Sequence, residues 1–94
     1  MARLDDEALQ AALAQLPGWS RDGNALAKEF RFQGFRPGIH FVNRIADVAD
    51  AVDHHPDLWV GYGRVRVSLS THDEGGITDL DVDLARRIEQ VVGD

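Results

Sequence analysis

"RPGIHFVNRIADVADAVDHHP", residues 36–56, is the stretch on which the fold turns. Its apolar residues recur at helical spacing: Ile39, Val42, Ile45, Ala49 and Val52 form one stripe. Asn43, Asp47, Asp50 and His54 lie on the opposite side. Pro37 suits a first helical turn, where no amide hydrogen is needed. Pro56 disfavours helical geometry at the residue before it, so the predicted helix ends near His54.

The segments flanking this helix change period. Upstream, "WSRDGNALAKEFRFQ" (19–33) carries turn chemistry at Asp22-Gly23-Asn24 and then alternates. Leu26, Lys28, Phe30 and Phe32 share one parity, with Lys28 out of place among apolar neighbours. Downstream, "LWVGYGRVRVSLSTH" (58–72) reads as two strands with a bend around Gly61 or Gly63. There Val65, Val67 and Leu69 alternate with Arg64, Arg66, Ser68 and Ser70. Two outer helices complete the pattern. "DDEALQAALAQLPGW" (5–19) has Asp5 or Asp6 as its cap, Leu9, Ala12, Leu13 and Leu16 at helical spacing, and Pro17-Gly18 as its stop. "ITDLDVDLARRIEQVV" (77–92) is expected to face Leu80, Leu84, Ile88 and Val91 inward.

The order is helix, hairpin, helix, hairpin, helix. Short connections make a four-stranded antiparallel sheet, and amphipathic helices most simply cover one of its faces, giving a single α+β domain over residues 1–94. The other face is left to solvent or to another subunit.

At 94 residues the chain is too short for two domains. A domain of this size buries roughly 60–65% of the surface its unfolded chain exposes, so self-association would add welcome burial. A net charge of −6 argues against a nucleic-acid surface, which needs clustered Lys and Arg. There is no cysteine, which removes disulfides, thiolate metal sites and thiol nucleophiles, and fits the cytoplasm. The acidic opening "MARLDDEALQAALAQL" is not the pattern of a signal peptide, and no run has membrane-span length.

Chemistry concentrates in three places. His54 and His55 sit at the expected end of the long helix, where the helix dipole favours positive charge, and Asp50 lies one turn earlier. Histidine suits general acid/base work at neutral pH, yet a solvated histidine at a helix end is the plainer reading of either residue alone. His72 follows a strand and opens the loop "DEGG", from which it could reach a cleft or simply decorate a turn. Thr78 with Asp81 resembles a capping box, and Asp79 and Asp83 make the same helix start acidic. No metal is expected: consecutive histidines diverge, whereas familiar helical pairs are spaced by four. "GGITD" lacks the Lys of a phosphate loop, and Ser68 and Ser70 lack a nucleophile elbow.

The series Asp50, His54-His55-Pro56, Tyr62, His72 and Asp81 resembles the signature of the pterin-4a-carbinolamine dehydratases, which in animals double as dimerisation cofactors of a homeodomain transcription factor. "LPGW", "LSTH" and "IEQV" extend the likeness across nearly the whole chain. The departures are aspartate at the acidic position, a shorter reach, and two glycines around Tyr62. The resemblance implies dehydration of 4a-hydroxytetrahydropterin to quinonoid dihydropterin, a step in recycling the cofactor of aromatic amino-acid hydroxylases. It implies His54, His55 and His72 as catalytic residues, Asp53, Asp81 and Asp50 as substrate-binding residues, and no cofactor. His54 and His72 would be the acid/base pair, with His55 positioning the pterin. A homodimer or homotetramer is expected. The runner-up is a binding module of the same fold, a coactivator or assembly factor, although this chain keeps all three histidines.

Overall fold

The computed structural model describes residues 2–93. Its elements follow the expected order: α1 (Asp6–Leu13), β1 (Ser20–Asp22), β2 (Ala25–Arg31), α2 (Phe35–Val52), β3 (Asp57–Gly61), β4 (Arg64–Leu69) and α3 (Asp79–Val91). A short 3₁₀ turn, His72–Glu74, is inserted before α3. The strands form one antiparallel sheet in the order β1-β2-β4-β3. The helices cover one face, as an α+β layer requires, and a single core lies between them and the sheet.

Each hairpin turns where glycine permits it. Asp22 pairs with Ala25, and Gly23 supplies a positive φ of 62°. Gly61 pairs with Arg64, and the bend falls at Tyr62-Gly63, with Gly63 at φ 75°. Asp5 caps α1 by accepting from the Ala8 amide at 2.8 Å.

The core is built on alternation. Leu26, Phe30, Val65, Val67 and Leu69 point toward the helices and are buried. Against them α2 sets Gly38, Phe41, Ile45 and Ala49. This stripe is rotated from the expected one: Ile39 is only half-buried, and Val42, Val48 and Val52 lie on the margin. Phe41 causes the rotation. Its ring packs at a tilt 4.8 Å from Phe30 and 5.3 Å from Phe32, centroid to centroid, and is fully buried. Burying such a side chain is worth about 1.5–3 kcal/mol, more than Ile39 gains on a margin. Gly38 allows the approach, because a Cβ there would lie 3.3 Å from Val65 Cγ2.

Lys28, the misfit of β2, does face the helices. Its Nζ bonds Glu89 Oε2 at 2.7 Å and the Pro17 carbonyl at 3.0 Å, and sits 4.7 Å from the Phe30 ring centroid. Trp19 Nε1 donates to the same Glu89 oxygen at 2.8 Å. One carboxylate thus ties β2, α3 and the segment after α1. Arg44 on α2 donates to the Val91 carbonyl at 2.9 Å and satisfies the last turn of α3.

In α3 the inward residues are Asp81, Val82, Leu84, Ala85 and Ile88. Leu84 and Ile88 face inward as expected, but Leu80 is 37% exposed and Val91 only half-buried. Positions 81, 84, 85 and 88 form the true stripe, and its first member is a carboxylate. Among the described residues, no helix is long and apolar enough to cross a membrane.

Candidate functional site

The site is made where α2 ends and α3 begins. The last helical residue of α2 is Val52, two residues before the expected end. Asp53 takes the left-handed conformation, φ 52° and ψ 43°, and is the one non-glycine among the described residues with positive φ. The Asp53 amide donates to the Asp50 carbonyl and the His54 amide to the Ala49 carbonyl, at 3.3 and 3.2 Å. These two bonds are those of a Schellman end, a position that usually belongs to glycine. Aspartate tolerates it better than most residues, and strain held at such a place is characteristic of sites under functional constraint.

This reversal sends the paired histidines apart. His54 Nε2 lies 2.6 Å from Asp81 Oδ1, 27 residues along the chain. His55 Nε2 lies 2.8 Å from Asp50 Oδ1, on the last turn of its own helix. The first pair is sealed: the Asp81 side chain is 0% exposed and that of His54 13%. The second is open, with side-chain exposures of 55% and 77%, and contributes little to stability.

Asp81 is fully buried, as is Thr78 beside it. Thr78 caps α3 and Asp81 completes the capping box, its Oδ2 accepting from the Thr78 amide at 2.9 Å. The same oxygen accepts from the Thr71 hydroxyl at 2.9 Å. Thr71 Oγ1 is also 2.8 Å from Thr78 Oγ1, which accepts from the Leu80 amide at 3.2 Å. The helix dipole of α3 favours the negative charge of Asp81 at this end. Thr71 is placed by an isolated β-bridge to Gly76, which closes the loop carrying the 3₁₀ turn.

Above this buried cluster is a cavity of about 290 Å³, lined by Asp53, His54, His55, Ser70, Thr71, His72 and Asp73. That is near the lower end for small-molecule sites. The structure therefore brings His54, His55, His72 and Asp53 to one opening, with Asp81 beneath it and Asp50 behind His55. Sequence reasoning did not single out Thr71 or Asp73, and it weighed Ser70 only as a nucleophile and set it aside. Thr71 could have been found from its place directly before His72, where a residue at the strand end must share the cleft. Tyr62, part of the recognised series, stands apart at the tip of the β3–β4 turn and is 81% exposed. Among the described residues, no group of three His, Asp or Glu side chains is arranged to hold a metal ion.

An imidazole fixed by a buried carboxylate, beside a second and third imidazole on one cavity, can move protons to and from a small polar ligand. Known proteins share this frame. The family model described as Pterin 4 alpha carbinolamine dehydratase matches residues 2–91. A protein of Mycobacteroides abscessus is 50% identical over 99% of both chains. One of Thermomicrobium roseum is 45% identical over 97% of this chain and 98% of its own. Both bear provisional pterin-4-alpha-carbinolamine dehydratase names. The crystal structure of a transcriptional coactivator/pterin dehydratase from Brucella melitensis superimposes with a TM-score of 0.92, at 35% identity over 97% of this chain and 99% of that one. A pterin dehydratase-like protein described as a RuBisCO assembly factor in the alpha-carboxysome shares the fold, with a TM-score of 0.66 at 18% identity over 81% of this chain and 88% of that one. On a match that runs almost from end to end, this chain belongs to the pterin 4 alpha carbinolamine dehydratase family.

Proposed function

We propose that the protein dehydrates 4a-hydroxytetrahydropterin to quinonoid dihydropterin, in cytoplasmic recycling of the cofactor of aromatic amino-acid hydroxylases. The observation that carries this reading is the set of three imidazoles on one cavity, one of them held by the buried Asp81 carboxylate. In the reaction the C4a–O bond breaks as the N5 lone pair forms the C4a=N5 bond. An acid protonates the departing hydroxyl, which leaves as water, and a base takes the N5 proton. His54 and His72 serve as this pair, each cycling one proton. His55, braced by Asp50, positions the pterin. Asp53, on the rim, bonds the polar edge of the pterin, and Asp81 orients His54. The transfer needs protons alone, so the residues of the cavity suffice.

The test is direct. With 4a-hydroxypterin generated by a hydroxylase, purified protein is expected to accelerate formation of the quinonoid product, followed by absorbance. A rate equal to the spontaneous one overturns the reading.

The exposed Trp59, Val60 and Tyr62 on the β3 side of the sheet support a separate expectation, that the chain associates with itself. β3 is an edge strand, and an exposed apolar edge invites pairing. The occupant we favour is another copy of the chain, in a homodimer or homotetramer. Light scattering at micromolar concentration is expected to give a mass at least twice that of the 10.4 kDa chain. A monomer mass overturns the self-association.

A further inference from the structure

We propose that Thr71 is a positioning residue: its hydroxyl holds Asp81 so that His54 keeps its proton on Nε2 and exchanges protons with the substrate through Nδ1. The inference rests on proton counting. Thr71 Oγ1 donates to Asp81 Oδ2, so its single hydroxyl proton is used. Thr71 must then accept from Thr78 Oγ1, whose own oxygen accepts from the Leu80 amide. The chain of bonds therefore has one direction, from Thr78 to Thr71 to Asp81. The Thr78 amide adds a second donor to Oδ2. With Oδ2 occupied twice, Oδ1 is the oxygen left for the imidazole, at 2.6 Å from His54 Nε2. A carboxylate that already takes two donors on one oxygen acts as an acceptor on the other, so Nε2 is the protonated nitrogen.

The other nitrogen of His54 has no protein partner among the described residues, and no buried side-chain nitrogen or oxygen of the described residues lacks one. Nδ1 is consequently not sealed from solvent, and because His54 borders the cavity we take Nδ1 as the nitrogen that meets the substrate. Removing the Thr71 hydroxyl frees Asp81 to rotate about its capping-box bond. The imidazole then loses the fixed acceptor that selects its tautomer. Thr71 also lines the cavity, so a kinetic effect alone would not separate positioning from contact with substrate.

The experiment therefore has a spectroscopic arm that needs no substrate. In ¹⁵N-labelled full-length protein, long-range ¹H–¹⁵N correlation of the histidine rings reports which nitrogen of His54 carries the proton. Wild type is expected to show the neutral His54 ring carrying its proton on Nε2, with a slowly exchanging Nε2–H. In Thr71→Val, which keeps the shape, that resonance is expected to broaden or move, and kcat to fall about tenfold with KM nearly unchanged. Thr71→Ser restores the hydroxyl and is expected to restore both. Backbone amide spectra confirm that each variant is folded. The proposal is overturned if wild type carries the proton on Nδ1 alone, or if the His54 signals of Thr71→Val match those of wild type. It rests on the dehydratase reading only for its kinetic arm. If the tautomer behaves as stated and no dehydration is catalysed, the function fails and the positioning stands.

Discussion

Asp81→Ala is expected to cost this protein about 3 kcal/mol of stability and, in whatever fraction stays folded, at least about two orders of magnitude in dehydration rate. The stability term follows from what the carboxylate satisfies. Three donors converge on it: His54 Nε2, the Thr71 hydroxyl and the Thr78 amide. All are in a region from which solvent is largely excluded, and Asp81 itself is fully buried. Alanine removes the acceptor and leaves these donors behind, and each stranded donor costs about 1–3 kcal/mol unless water reaches it. The His54 side lies next to the cavity and can be rehydrated, which is why the sum is set near the lower bound. Loss of the capping box adds to the same change. Against a total stability of about 5–15 kcal/mol for a small domain, this is a large fraction. Urea unfolding measures it directly. Asp81→Asn separates stability from catalysis. The amide oxygen can still accept from Thr71 and Thr78, but its NH₂ group then meets His54 Nε2, which must become an acceptor. The imidazole proton moves to Nδ1, the wrong nitrogen for the cavity. Asp81→Asn is thus expected to unfold within about 1–2 kcal/mol of wild type while losing activity nearly as fully as alanine. An active Asp81→Asn variant would falsify the orienting role.

The same residue shows how far the sequence can be read. The capping box of Thr78 and Asp81 was legible, because a hydroxyl followed three residues later by an acid is a local signal. That the acid also occupies the first core position of α3 was not. Periodicity assigns an aspartate to solvent by default, so the inward stripe was placed on Leu80, and the structure exposes Leu80 instead. The end of α2 was legible to within two residues. Pro56 marks a helix stop, but the stop falls at Val52 because Asp53 adopts a left-handed conformation that composition cannot announce. The alternation of the strands and the two-residue turns carried the sheet, since each glycine and each parity acts over a few residues only. Lys28 looked like an error in that alternation and is explained by Glu89 and the Pro17 carbonyl, from distant parts of the chain. In the site, the candidate residues came from the family resemblance, because each histidine taken alone reads as a plain helix-end or turn residue. Their partners were not readable, because His54–Asp81 and Thr71–Asp81 depend on how two helix ends meet.

The histidines themselves give the second large effect, and here the differences among them discriminate more than any single loss. His54→Ala is expected to lower kcat by about 10²–10⁴-fold, the range for removing a general acid or base. It also leaves Asp81 Oδ1 facing a hole, so a stability loss of about 1–3 kcal/mol should accompany it. His54→Gln returns a donor to Asp81 without returning a proton carrier. It is therefore expected to recover most of the stability and little of the rate. His72 is exposed on its 3₁₀ turn, so His72→Ala should lose rate on a similar scale while stability stays within about 0.5 kcal/mol. His55→Ala removes an exposed pair with Asp50 and, on the proposed role of placing the ring, should raise KM more than it lowers kcat. If acid and base act in one proton cycle, as proposed, the double variant of His54 and His72 should be little worse than the poorer single variant. Multiplying losses would mean that the two imidazoles act on separate steps. If His54→Ala loses stability but keeps its rate, His54 is a helix-end residue that braces Asp81, and proton transfer belongs elsewhere in the cavity.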